Sequence, residues 1–196
     1  MANDVVGLKI GSSRMVAAQV HSNGGRRLTA IASRELPEGL ISRGELLDPT
    51  SLAAELKAFF KETGLPKKHV RLGLASNRIG VRTISIEGAE TDEELLNAVT
   101  FRAQEELSIP VMDASLDFHV LDEWMSDDAA QMRRVLVAVA YRDLVDPYTA
   151  AFSEAGVRLL GMDLEALALL RALAPDLPAA QTGEGIEVPR TATVIV

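Results

Sequence analysis

The residues best suited to chemistry lie near the start of the chain, in Lys9-Ile10-Gly11-Ser12-Ser13-Arg14. Gly permits the backbone angles a tight turn demands, and small serines leave amide N–H groups uncovered, so the bend can hold an anion such as a phosphate. Most Gly-Ser turns between strands are only turns, and on these residues alone both readings stand. Two familiar phosphate motifs are excluded. Neither G-x-x-x-x-G-K-[ST] nor G-x-G-x-x-G occurs, and both open a helix, whereas Arg14 to Val20 has the pattern of a strand. Lys9 is either a partner for a phosphate oxygen or a sheet lysine with its ammonium in solvent.

Other reactive constellations are missing. His21, His69 and His119 stand far apart, with no pair at i, i+4 and no Cys beside them, so they are assigned no metal. No G-x-S-x-G occurs, and a hydrolase of that kind has no support. The acidic run Thr91-Asp92-Glu93-Glu94 reads as a capping box, in which the helix dipole already accounts for the carboxylates.

The elements that must hold the bend follow from periodicity. Val5 to Ile10 and Arg14 to Val20 predict a buried β-hairpin, and Leu28 to Ser33 a third strand beside it. Asp48-Pro49 opens a helix whose Leu52, Leu56, Phe59 and Phe60 share one face, closed by Gly64 and Pro66. Val70–Ser76 and Ile79–Ile86 both alternate, and Asn77-Arg78 between them predicts a hairpin with one covered face. A helix follows Thr91 with Leu95, Val99, Ala103 and Leu107 as its stripe.

Ser115–Leu121 and Arg134–Ala140 are strands, the second so apolar that both faces should be covered. Asp143 or Asp146 should cap the next helix, which buries Leu144, Tyr148, Ala151, Phe152 and Ala155 and ends at Gly156. Val157–Met162 is a strand, and Leu164–Leu173 an interior helix, apolar almost all round. Ala179–Pro189 reads as a surface loop and Thr191–Val196 as a strand.

Composition bounds the rest. A chain of 196 residues, 47% hydrophobic, can bury a sizeable core in one large or two small domains. With no Cys there are no disulfides and no thiolate chemistry, which suits a reducing compartment, and a cytoplasmic address is the simplest expectation. A net charge of −8, with Lys and Arg scattered along the sequence, argues against a nucleic-acid surface. No basic secretion signal starts the chain, and Asp163, Glu165 and Arg171 interrupt its longest apolar stretch, so no direct membrane span is expected.

Strand-Gly-Ser-Ser-strand at the N-terminus resembles the first phosphate loop of the actin-like ATPases. Leu36-Pro37-Glu38-Gly39, Gly44-Glu45-Leu46-Leu47-Asp48-Pro49, Ser115 to Leu121 and Gly161-Met162-Asp163-Leu164-Glu165-Ala166 to Leu173 follow in the order and spacing of the PilM family of type IV pilus assembly, a relative of the division protein FtsA. The resemblance covers essentially the whole chain. It implies an α/β fold: an actin-like ATPase (ribonuclease H-like) subdomain formed by residues 1–36 and 157–196, with a small α+β subdomain inserted at 37–156. The second half of the actin-like fold, with the rest of the ATP cleft, is not expected in this sequence.

By the same resemblance, Lys9, Gly11, Ser12, Ser13 and Arg14 are the cofactor contacts, for ATP and magnesium in a longer form and with no tight binding by this fragment. Glu165 stands where related ATPases orient the attacking water, with Asp163 close by; the two read equally well as helix caps. No metal ligands are assigned. The family usually has Asp at the place of Lys9, so hydrolysis by the usual arrangement is not expected, nor is an enzyme in this chain alone. The implied role is a cytoplasmic component peripheral to the inner membrane. It would dock the N-terminal tail of a PilN-like membrane protein in a groove between the two subdomains, alongside other pilus platform proteins. The rivals are an ATP-hydrolysing actin-like enzyme and an FtsA-like division protein.

Overall fold

The computed structural model describes residues 4–22, 26–107, 110 and 113–173, whose ten strands and four helices form two packed units. The first opens with an antiparallel meander, β1 (Asp4–Ile10), β2 (Arg14–Ser22) and β3 (Arg26–Glu35). A short ribbon, β4 (Ile41–Ser42) and β5 (Glu45–Leu46), leads to α1 (Pro49–Thr63) and then to β6 (Val70–Leu74), which pairs in parallel with β1. The chain leaves for the second unit through β7 (Ile79–Glu87), α2 (Asp92–Glu106), β8 (Ala114–Met125) and β9 (Gln131–Tyr141). It returns through α3 (Arg142–Glu154), β10 (Leu159–Leu164) and α4 (Glu165–Leu173). The strand orders are β10-β6-β1-β2-β3 and β7-β9-β8.

Alternation in the first sheet sends Val6, Leu8, Ile10, Met15, Ala17, Val70, Leu72 and Leu74 to one buried face, which packs in one core with α1 and α3. Asp48 caps α1 by accepting from the Ser51 N–H at 3.0 Å, Pro49 takes the first helical position, and Gly64 ends the helix with φ 67°. Leu52, Leu56, Phe59 and Phe60 are buried as the spacing predicts, the two rings meeting edge to face 5.6 Å apart. Arg34 of β3 ties the helix to the sheet, donating to Glu55 at 2.8 Å and to Glu62 at 2.5 Å.

In the second unit α2 covers the face of Ile84, Ile86, Val135, Val137 and Val139 with Leu95, Val99 and Ala103. Its start is the predicted capping box: Thr91 Oγ1 accepts from the Glu94 N–H at 3.2 Å, and Glu94 Oε2 accepts from the Thr91 N–H at 3.1 Å. Thr91→Ala is expected to cost about 1 kcal/mol, read as a lower urea midpoint at unchanged slope. The N–H groups of Glu90 and Thr91 hold the Glu94 carboxyl below its ordinary range, and hydrogen bonds from Ser51 do the same for Asp48. Both carboxylates therefore stabilise the fold above their unfolded pKa and lose that contribution as pH falls through the lower folded value. Urea melts between neutral and acid pH should show a shallower fall for Glu94→Gln; an identical fall would contradict the assignment.

Several expectations are corrected. Residues 70–86 form no hairpin: β6 joins the first sheet and β7 the second, because Val70, Leu72 and Leu74 enter one core while Ile84 and Ile86 enter the other. The first core takes residues from α1, β6 and α3, and the second runs from Ile84 to Val139.

Only one face of β9 is buried; Leu136, Ala138 and Ala140 are half-buried on the other. Neither Asp143 nor Asp146 caps α3, whose N-cap is Tyr141 without a side-chain bond. The helix α4 is not interior: it meets β10 and β6, and Leu169, Leu170 and Leu173 are exposed. The loop expected at 179–189 and the strand at 191–196 lie outside the described residues.

Candidate functional site

The predicted bend joins β1 to β2 at one end of the first sheet. The Gly11 N–H donates to the Arg14 carbonyl at 2.9 Å, and the Ser13 carbonyl accepts from the Leu36 N–H at 2.8 Å. The N–H groups of Ser12 and Ser13 have no backbone partner among the described residues, and Ser12, Ser13 and Arg14 are exposed. Gly11 does not have positive φ, contrary to the reason first given for it. What it supplies is space, since a Cβ there would lie 3.4 Å from the Arg14 carbonyl oxygen.

Lys9 Nζ donates to Glu165 Oε2 at 2.7 Å, a partner that neither reading of the residue supplied. The pair links residues 156 apart, which sequence spacing could not reveal. Parallel pairing sets Lys9 and Asp163 on either side of Gly73, and a Cβ on Gly73 would lie only 3.2 Å from Glu165 Cγ. The Glu165 stem therefore rests against bare backbone, which points its carboxylate at Lys9. Asp163 accepts from Arg171 and from the Leu164 N–H at 2.8 Å.

Glu165, at the position where related ATPases orient water, and Asp163 close by are thus both engaged by cations of the chain itself. Lys9 is itself paired with Glu165 while its side chain remains 61% exposed, and the Ser12 and Ser13 amides have no backbone partner among the described residues. The same set does not fit a magnesium ion, because its carboxylates are committed. No cluster of three or more His, Asp or Glu able to hold a metal occurs among the described residues.

A second arrangement, which the sequence reading missed, lies where the chain crosses between units at residues 75–78 and 141–142. Arg78 Nη2 donates to Asp143 Oδ1 and Oδ2 at 2.6 Å each, its guanidinium lies 4.8 Å from the Tyr141 ring centre, and Glu45 Oε1 is 3.6 Å away. The hydrogen bond to Asp143 holds the Arg78 pKa above its ordinary value. Arg142 Nε donates to the Ala114 carbonyl at 3.1 Å, fastening α3 to β8.

Below this cluster, a Cβ on Gly44 (φ 80°) would stand 2.4 Å from the Ala75 carbonyl oxygen. Tyr148 Oη donates to the Gly44 carbonyl at 3.4 Å, and burial, with the Glu165 charge adding to it, pushes the phenol up to about 12. Around Arg78 opens a recess of about 470 Å3, lined by Arg78, Asp113, Tyr141, Arg142 and Asp143. Two guanidiniums, two carboxylates and a ring are equipped to hydrogen-bond the backbone and polar side chains of an extended peptide. In the sequence Arg78 reads as a turn residue and Asp143 as a helix cap, and nothing in their spacing joins them.

Residues 7–191 match the family described as type IV pilus assembly protein PilM. A solved structure titled PilM-PilN type IV pilus biogenesis complex is similar at 28% identity and TM-score 0.73, over 86% of this chain and 49% of that one. The chain thus spans about half the length of that solved relative. The likeness makes this mixed α/β architecture actin-like. The chain belongs to the PilM family of type IV pilus assembly proteins.

Proposed function

We propose that this chain is a docking module of the type IV pilus assembly platform, taking the N-terminal tail of a PilN-like membrane protein in the seam between its two units. It works at the cytoplasmic face of the inner membrane with other platform proteins; no helix among the described residues is long and apolar enough to cross a membrane. The observation that carries the reading is the recess around Arg78, set where both units contribute walls, in a family whose solved relative is titled a complex with PilN. In a chain of that relative's full length, Gly11, Ser12 and Ser13, with Lys9 and Arg14, would contribute phosphate contacts for ATP.

One wall of a cleft buries too little of a nucleotide for tight binding, since small-ligand sites cover most of the ligand. Hydrolysis is not proposed for this chain, because Glu165 and Asp163 are paired with Lys9 and Arg171. Calorimetric titration of a synthetic PilN tail and, separately, of ATP with magnesium tests this. Saturable peptide binding with little heat from ATP is expected; tight ATP binding with no peptide binding would reverse the assignment.

A further inference from the structure

The end of the first sheet farthest from the bend collects positive charge from three separate segments. Arg158, immediately before β10, donates its N–H to the Lys67 carbonyl at 2.8 Å, and the Val70 N–H returns a bond to the Arg158 carbonyl at 3.2 Å. Lys67 and Lys68 precede β6, while Arg26 and Arg27 start β3 opposite Ser22 and His21. The strand order sets these positions along one edge about 19 Å wide, from four inter-strand spacings of about 4.8 Å.

All five cations are exposed, and none makes a salt bridge among the described residues, unlike Lys9, Arg34, Arg78 and Arg171. Of the carboxylates at this end, Asp4 is engaged by His21 at 2.5 Å and by Gln19 at 3.1 Å, and Glu154 stands four residues before Arg158. In a chain of net charge −8, this end of the sheet is a basic edge without a compensating salt bridge among the described residues. It is formed by strand ends side by side, and the recess around Arg78 lies near the opposite end. A broad, flat array of unpaired cations suits a plane of negative charge better than a single bound peptide.

We propose that this edge, through Arg26, Arg27, Lys67, Lys68 and Arg158, rests on the anionic headgroups of a phospholipid bilayer. The inference does not depend on the docking seam, which belongs to the other end of the sheet. Each cation near such a surface strengthens binding by about fivefold, and the attraction decays within about 8–10 Å at physiological salt.

The test is co-sedimentation of the full chain with vesicles of 30% phosphatidylglycerol in phosphatidylcholine, against phosphatidylcholine alone. Binding to the anionic vesicles only, falling as sodium chloride rises, is expected. Lys67→Glu/Lys68→Glu/Arg158→Glu should weaken it at least about a hundredfold, with an unchanged thermal melt and unchanged peptide titration, whereas Arg82→Glu should leave it as it was. Equal binding to both vesicle types, no binding at low salt, a triple variant that binds like its parent, or a preference for duplex DNA over vesicles would each overturn the proposal. Loss of peptide docking with vesicle binding intact would count against the seam alone.

Discussion

Gly44→Ala is expected to destabilise this chain by about 2–5 kcal/mol, the sum of about 1–2 for a side chain in the left-handed region and about 1–3 for overpacking. Gly44 has φ 80°, and the added methyl would stand 2.4 Å from the Ala75 carbonyl oxygen, a backbone atom that cannot swing aside. Relief requires the ribbon of β4 and β5 to move off the crossing at residues 75–78, taking Glu45 from Arg78 and the Gly44 carbonyl from Tyr148. Gly39→Ala is the control: its φ is 81° but nothing lies within 4 Å, so only the conformational cost of about 1–2 kcal/mol applies. Urea melts of the two variants separate strain from collision; equal losses would show that the contact with Ala75 contributes nothing.

The second large effect is on binding. Arg78→Ala removes a guanidinium that is held by both Asp143 oxygens, lies over Tyr141 and lines the recess, so a docked peptide would lose a central anchor and the recess one wall. Arginine is enriched among the few interface residues whose loss costs about 2 kcal/mol or more, so the PilN tail should bind at least about tenfold more weakly. Because the Arg78 side chain is 28% exposed and Asp143 67%, the ion pair itself adds little to stability, and the melt should barely move. A variant that melts early but binds normally would invert this account.

Local chemistry was legible in the sequence and distant pairing was not. The Asp48 and Thr91 caps, the faces of α1 and α2 and the β1–β2–β3 meander depend on neighbours within a few residues, which spacing records. Alternation at 70–86 recorded that each strand had a covered face but not which core covered it, so two strands of different sheets looked like one hairpin. Lys9 with Glu165, and Arg78 with Asp143, are juxtapositions made by parallel pairing and by a chain that leaves one unit and re-enters it. The same geometry gathers Arg26, Arg27, Lys67, Lys68 and Arg158, cations that look scattered when read in line.

The central claim, that the seam between the units receives the partner's tail, is tested most directly by adding a synthetic PilN tail to isotopically labelled chain and following amide and arginine side-chain resonances. The account predicts saturable shifts at Arg78, Tyr141, Arg142 and Asp143, while Gly11 to Arg14 and Lys67 to Val70 stay still. Shifts centred on the Gly11–Ser13 bend or on the outer face of the first sheet, with the seam silent, would contradict it.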